Sequence, residues 1–344
     1  MKELTDAIAS GELTPAQVAG AAAALLDGSV ADEAKAAFLC ALAERGETPG
    51  EIAAFADAFL DRAVVPSLDR AVLDRPLLDV CGTGGDKLQL FNVSTAAVFV
   101  LAACGVAVAK HGNRGVTSKS GGADVLEALG IRIDLPPHDF GRCLAEVGAA
   151  FLFAPLYHPA FKAVVPVRKR LGEQGRRTVF NLLGPLLNPA RPDYQLIGVF
   201  DAAVGPVFAR ILPGLGREAA WVVHGSADDG GGMDELSTLG PSRIWQAARP
   251  NPVESRIEPS SLGLAPASVA DLRGGDAAEN ASILAGVLEG GDRGPRRDIV
   301  LLNAAAGLAV CGAVPGLAEG MARAGEAIDS GAALAVLERW RRFT

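Results

Sequence analysis

Three short stretches gather side chains and glycines that suit phosphate and metal chemistry. Gly82-Thr83-Gly84-Gly85-Asp86 is the first. Glycines so spaced let backbone N–H groups approach phosphate oxygens with no Cβ in the way. The sequence is neither G-x-x-x-x-G-K-[ST] nor G-x-G-x-x-G, and alone it is equally consistent with a tight structural turn. Asn92-Val93-Ser94-Thr95 follows, offering capping groups, N–H donors and two hydroxyls. The second stretch, Lys110-His111-Gly112-Asn113-Arg114, adds two cations and a carboxamide that both donates and accepts; Thr117, Ser118, Ser120 and Gly121-Gly122 come next. The third runs from Asp228 through Asp229 and three glycines to Met233-Asp234-Glu235. Adjacent carboxylates on a glycine-flanked loop suit magnesium, which takes oxygen ligands and shares a substrate's phosphates. Asp228 and Asp229 read as a solvated turn.

The elements around these stretches explain how they could converge. Leu77–Cys81 and Val106–Ala109 read as short strands, each ending where a loop begins, and Asn92–Cys104 reads as the helix between them. Further strands are expected at Ile131–Ile133, Ala150–Phe153, Leu196–Phe200 and Ala220–Val223. Apolar runs alternating with helices imply a largely parallel sheet covered by helices, and ligands bind such sheets at the carboxyl ends of strands. Residues 1–70 are Ala/Leu-rich with helical spacing and no strand signal. Thr14-Pro15 and Thr48-Pro49 look like helix starts. Pro159–Arg170 reads as helical, Asn181–Pro189 as a proline-interrupted turn, and 253–275 as strand and loop. Helices should follow at 276–290, 297–311 and 318–340.

Composition narrows the partners. The 344 residues are 49 % hydrophobic and 21 % charged with a net charge of −8, which speaks against nucleic acid or a membrane surface. Positive clusters in an acidic chain, Lys110 to Lys119 and Lys162 to Arg177, point to small anions, although Lys169-Arg170 reads as a solvated face. Five cysteines, odd in number and without a C-x-x-C pair, read as buried thiols in a reducing compartment, and no zinc site is indicated. No signal peptide is evident. The apolar stretch Val93–Ala109 is short for a membrane span and broken by Gly105, so a cytoplasmic protein is expected. His158 and His224 read as structural.

Taken together, Gly82-Thr83-Gly84-Gly85-Asp86, Asn92-Val93-Ser94-Thr95, Lys110-His111-Gly112-Asn113-Arg114, Asn181-Leu182-Leu183-Gly184-Pro185-Leu186-Leu187-Asn188-Pro189 and Met233-Asp234-Glu235 resemble anthranilate phosphoribosyltransferases. The resemblance extends to Gly274-Gly275-Asp276 and Arg296-Arg297-Asp298, almost the whole chain. It implies a small helical domain, 1–72, joined in space by helices near 160–185, and an α/β domain over 73–344 of the nucleoside phosphorylase/phosphoribosyltransferase type. It implies transfer of phosphoribose from phosphoribosyl pyrophosphate (PRPP) to the amine of anthranilate, with Mg2+, in a homodimer. Carried over by position, PRPP contacts fall on Gly82, Gly85, Asp86, Asn92, Val93, Ser94, Thr95 and Lys110, and on the loop His111, Gly112, Asn113, Arg114, Gly115, Val116, Thr117 and Ser118. Magnesium ligands fall on Ser94, Asp234 and Glu235, and anthranilate contacts on Gly82, Asn113 and Arg168. Three positions depart from the family: Leu90 replaces the usual Thr, Gly122 the usual Ser, and Lys87 a common Gly. Losing a neutral hydrogen bond costs about 0.5–1.5 kcal/mol, enough to weaken donor affinity without abolishing it. Two other readings are a pyrimidine nucleoside phosphorylase-like enzyme, which would cleave thymidine or uridine with phosphate, and a nucleic-acid-binding relative, which would shift DNA at low salt.

Overall fold

Eight strands form the frame of the larger part of the chain: β1 Leu77–Gly82, β2 Ala107–Gly112, β3 Ala149–Phe153, β4 Tyr194–Gly198, β5 Ala219–Ser226, β6 Gly232–Met233, β7 Ser242–Gln246 and β8 Val253–Ile257. The computed structural model describes residues 1–71, 73–115, 119–228 and 230–344. In the sheet the order is β3-β2-β1-β4-β5-β7-β8, with β6 paired to β5. The pairs β3–β2, β2–β1, β1–β4 and β4–β5 are parallel, whereas β5–β6, β5–β7 and β7–β8 are antiparallel. Buried on both faces, the parallel strands are mostly apolar, interrupted by the buried polar residues Asp79, Lys110 and Gln195. The chain winds outward from β1 to β3 and then returns to β1's other side with β4. That reversal leaves a crevice at the carboxyl ends of β1 and β4, where an open α/β sheet binds its ligand.

The chain divides into two compact units, one of Met1–Val65 with Pro155–Pro189 and one of Pro66–Ala154 with Ala190–Thr344. The first is helical: Lys2–Ser10, Pro15–Leu26, Asp32–Arg45, Pro49–Leu60 and Val165–Glu173 are its longer helices. Thr14 and Thr48 each close a capping box, with Gln17 and Glu51 respectively, so both Thr-Pro pairs do start helices. Its core holds stacked and edge-on rings of Phe55, Phe59, Phe161 and Phe180, at centroid distances of 5.1–6.0 Å. The buried Lys35 ammonium donates to the Ala163 carbonyl at 2.8 Å.

In the second unit the helix Val93–Ala103 is apolar on every face and buried along nearly its whole length. Gly307, in the helix Pro295–Val310, lies so close to it that a Cβ there would stand 2.8 Å from a Leu101 methyl. Among the described residues no helix is long and apolar enough to cross a membrane.

Several expected boundaries shift. Ile131–Ile133 is not a strand. Ile131, Ile133 and Leu135 are buried and Arg132 and Asp134 exposed, an alternation produced by an extended segment packing its apolar side inward without a ladder partner. Lys110, His111 and Gly112 belong to β2 itself rather than to the loop after it. The long C-terminal helix is two, Leu317–Asp329 and Ala332–Arg342, separated at Gly331, whose φ of 76° no helix continues through.

Candidate functional site

Asp234 is wedged between two strand ends. A Cβ on Gly82, the last residue of β1, would lie 2.1 Å from Asp234 Oδ2; one on Gly198, the last of β4, would lie 1.6 Å from its carbonyl oxygen. Both glycines are therefore required by the close approach, whatever their φ. The Gly84 N–H donates to Asp234 Oδ2 at 2.7 Å, and the Asp86 carboxyl is close enough to raise that of Asp234. The next residue, Glu235, accepts from the Ser94 N–H at 3.0 Å, in the first turn of the helix Val93–Ala103. Lys110 reaches beneath from β2, its ammonium buried and donating to the Val80 carbonyl at 2.8 Å and to Ser94 Oγ at 3.3 Å. Glycine loop, helix start, β2 and the acidic pair thus meet at one sheet end.

The electrostatics of this cluster are unbalanced. Burial, and then the neighbouring Asp86, push the Asp234 carboxyl up; burial, and then Asp234, push Glu235 up, with Lys110 opposing. Asp86 is raised chiefly by burial too. Three carboxyl groups share one buried ammonium, so the set lacks positive charge. A hard divalent cation with oxygen ligands fits that deficit. Among the described residues no group of three or more His, Cys, Asp or Glu side chains is arranged to hold a metal ion by itself.

The glycine loop continues as a strained turn. Gly84 and Gly85 have φ of 65° and 92°, and Lys87 and Gln89 are also left-handed, at 60° and 55°. Side chains rarely adopt that conformation. The loop is stitched down by Gly274 N–H to the Gln89 carbonyl at 2.9 Å and Phe91 N–H to the Leu272 carbonyl at 3.1 Å. Lys87 is exposed beside it.

Other expected residues are held differently. Asn92 does not cap its helix: its amide donates to the Ser120 carbonyl at 3.3 Å, and its oxygen accepts from Asn280 at 2.9 Å. Val93 and Thr95 are buried. His111 begins the exit of β2, its N–H 3.4 Å from buried Asp79 Oδ1. Gly112 accommodates the Phe151 ring, 2.9 Å from where a Cβ would be. Asn113 Oδ1 accepts from the Arg114 N–H at 2.8 Å, and the Gly115 N–H donates to Asp124 at 2.8 Å. The Arg114 guanidinium is engaged by Asp124 and Glu127 and sits over the Phe153 ring, which ties it to the helix Gly122–Ala128 rather than leaving it open to phosphate. Val116, Thr117 and Ser118, and Asp229, lie outside the described residues. Exposed Asp228 accepts from the Val269 N–H at 3.3 Å. In the helical unit, exposed Arg168 stacks its guanidinium 4.9 Å above the Phe180 ring. His158 and His224 bond the carbonyls of Leu187 and Val199, both at 2.9 Å. Sequence reasoning missed Gly198, Asn280 and Asn303. Of these only Gly198 carried a signal, a glycine interrupting an apolar strand.

Comparison with known proteins agrees with this architecture. Residues 74–334 match the family model for the glycosyl transferase family a/b domain, and residues 11–63 the helical bundle domain of the same family. The fold is that of a glycosyl transferase built from a helical bundle domain and an α/β domain. Anthranilate phosphoribosyltransferase of Symbiobacterium thermophilum is 47 % identical, over 100 % of this chain and 98 % of its own. The crystal structure of the enzyme of that name from Thermus thermophilus has a TM-score of 0.89 at 42 % identity, covering 99 % of this chain and 98 % of the other. The Saccharomyces cerevisiae enzyme in complex with PRPP and Mg superposes with a TM-score of 0.82 at 30 % identity, over 94 % and 90 %. The chain belongs to the anthranilate phosphoribosyltransferase family.

Proposed function

We propose that the chain transfers phosphoribose from PRPP to the amine of anthranilate, giving N-(5-phosphoribosyl)anthranilate and pyrophosphate. The observation that carries the reading is the charge-deficient carboxyl cluster of Asp86, Asp234 and Glu235 beside the glycine loop at the sheet's switch point. Breaking the bond from the anomeric carbon to pyrophosphate builds positive charge on the ribose and negative charge on the leaving group. A bound Mg2+ supplies charge to stabilise that leaving group, and Ser94, Asp234 and Glu235 are the residues that would hold it. Around it Gly82, Gly85, Asp86, Asn92, Val93, Ser94 and Thr95 would contact the donor, with the Gly85 and Asp86 N–H groups as the loop's donors because those of Thr83 and Gly84 already serve Gly198 and Asp234, while Lys110 adds fixed positive charge. An aromatic amine is already unprotonated at neutral pH, so these residues need only position the attack.

We assign the anthranilate carboxylate to Arg168, with Gly82 and Asn113 as further contacts. A guanidinium can offer a carboxylate two parallel hydrogen bonds. Arg168 suits this because its guanidinium, whose pKa burial lowers, has the face of Phe180 as its described partner and so keeps its N–H edge for a carboxylate. We also propose a homodimer, which light scattering can check. The test of function is the loss of anthranilate fluorescence when protein, PRPP and Mg2+ are mixed. It should occur only with all three present; no loss with all three, or loss without PRPP, would rule the reading out.

A further inference from the structure

The carboxylate pair has a support that no phosphate- or metal-binding motif contains. Asn303 lies in the helix Pro295–Val310, 1 % exposed. Its Oδ1 accepts from the Leu236 N–H at 2.9 Å, and its Nδ2 donates to the Leu236 carbonyl at 3.0 Å. The same Nδ2 donates to the Ile299 carbonyl at 2.9 Å, one turn back along its own helix. The partners fix the orientation of the carboxamide, since only the oxygen can accept the N–H and only the nitrogen can serve the two carbonyls. Leu236 directly follows Glu235 and is itself fully buried. Ser94, Gly198, Glu235 and Asn303 line one cavity.

From this geometry we infer that Asn303 is a positioning residue for the divalent cation. It grips both polar groups of the residue after Glu235 and so fixes the direction in which the acidic pair leaves the chain. The inference rests on the reading of Asp234 and Glu235 as cation ligands. Asp234 is held by Gly82, Gly84 and Gly198, whereas the Glu235 carboxylate is held by the Ser94 N–H beside Lys110. Asn303 is part of a helix that packs on the sheet, and one buried hydrogen bond to Ile299 fixes its carboxamide while two reach Leu236, so the grip is rigid, as groups that orient metal ligands need to be. A purely structural role would consist of filling the space and satisfying the two backbone groups. It would affect folding and leave cation affinity alone.

The test uses the full-length protein with PRPP present and Mn2+ as the probe, its binding followed by electron paramagnetic resonance. Asn303→Asp keeps the shape and the acceptor for the Leu236 N–H but loses the donor; Asn303→Ala removes both. Each should weaken Mn2+ binding about 10- to 100-fold, the usual effect of removing a group that orients metal ligands. The KM for anthranilate should not change. Leu308→Ala, farther along the same buried helix, should lower the melting temperature and leave Mn2+ affinity unchanged. Wild-type affinity in a folded Asn303 variant, or equal weakening in Leu308→Ala, would overturn the inference. The wild-type protein offers a check that needs no variant: the Leu236 amide should be among its slowest to exchange with deuterium, and fast exchange would also overturn it. Failure of the wild-type protein to bind Mn2+ at all would instead remove the cation reading on which the inference stands.

Discussion

Gly198→Ala tests whether the acidic pair depends on its seat in the sheet. The added methyl would sit 1.6 Å from the Asp234 carbonyl oxygen and 2.3 Å from its carbonyl carbon, and both are backbone atoms that no rotamer change can move aside. Restoring even a tight 3.0 Å contact requires the peptide to retreat by about 1.4 Å. Gly82, the register partner of Gly198 on the neighbouring strand, meets Asp234 from the same face, so the peptide must move away from the sheet, taking the carboxylate out of line with the glycine loop. A misplacement of about 1 Å can cost roughly 100-fold in rate, equivalent to ~2.7 kcal/mol of transition-state stabilisation. Overpacking should also lower stability by about 1–3 kcal/mol. The assay is initial rate against PRPP at saturating anthranilate and Mg2+, together with a melting curve. Gly214→Ala, where a Cβ meets nothing within 4 Å, serves as the control and should behave like the parent. A folded Gly198→Ala protein with kcat/KM for PRPP within about threefold of the parent would refute the reasoning.

Three other outcomes follow from the site. Gly122→Ser should fit, because a Cβ there meets Thr95 Oγ1 at 3.4 Å and Lys110 Cε at 3.6 Å, which are ordinary contacts. The restored hydroxyl should lower the KM for PRPP about 2- to 10-fold, worth ~0.5–1.5 kcal/mol; an unchanged KM in a well-folded variant would count against the site. The raised carboxyls of Asp234 and Glu235, at about 7 and about 8, make the folded protein hold more protons than the unfolded chain above the ordinary carboxylate value of about 4. Stability without cation should therefore fall as pH rises through that window, and Mg2+ with PRPP should flatten the fall. Melting temperatures across the window check this, and a rise with pH would contradict it. Arg168→Ala should raise the KM for anthranilate by about 10- to 100-fold, the value of a charge-assisted contact, and leave PRPP kinetics near normal; unchanged anthranilate kinetics would dismiss Arg168.

What the sequence made legible was local. The glycine loop, the cationic end of β2 and the acidic pair are short stretches whose residue types announce their chemistry, and strands read from apolar runs put them at sheet ends. Contacts distant in sequence were not legible. Asn303 meets Leu236 across 67 positions, and nothing near either residue marks the pair. The ion pairs of Arg114 were hidden too, because its partners Asp124 and Glu127 lie on the following helix, where they resemble ordinary surface acids. Strand β7 was obscured because Arg243 and Gln246 face solvent and interrupt its apolar residues. Ile131–Ile133 misled for the opposite reason, since alternating burial marks an extended chain whether or not a neighbour bonds to it.

The most direct test of the account is a crystal structure of the protein with Mg2+ and PRPP. The account predicts a cation held by Asp234, Glu235 and Ser94, with the diphosphate along the Gly82–Asp86 loop and the start of the helix Val93–Ala103. A diphosphate bound elsewhere, with the Asp86–Asp234–Glu235 cluster empty of metal, would contradict it.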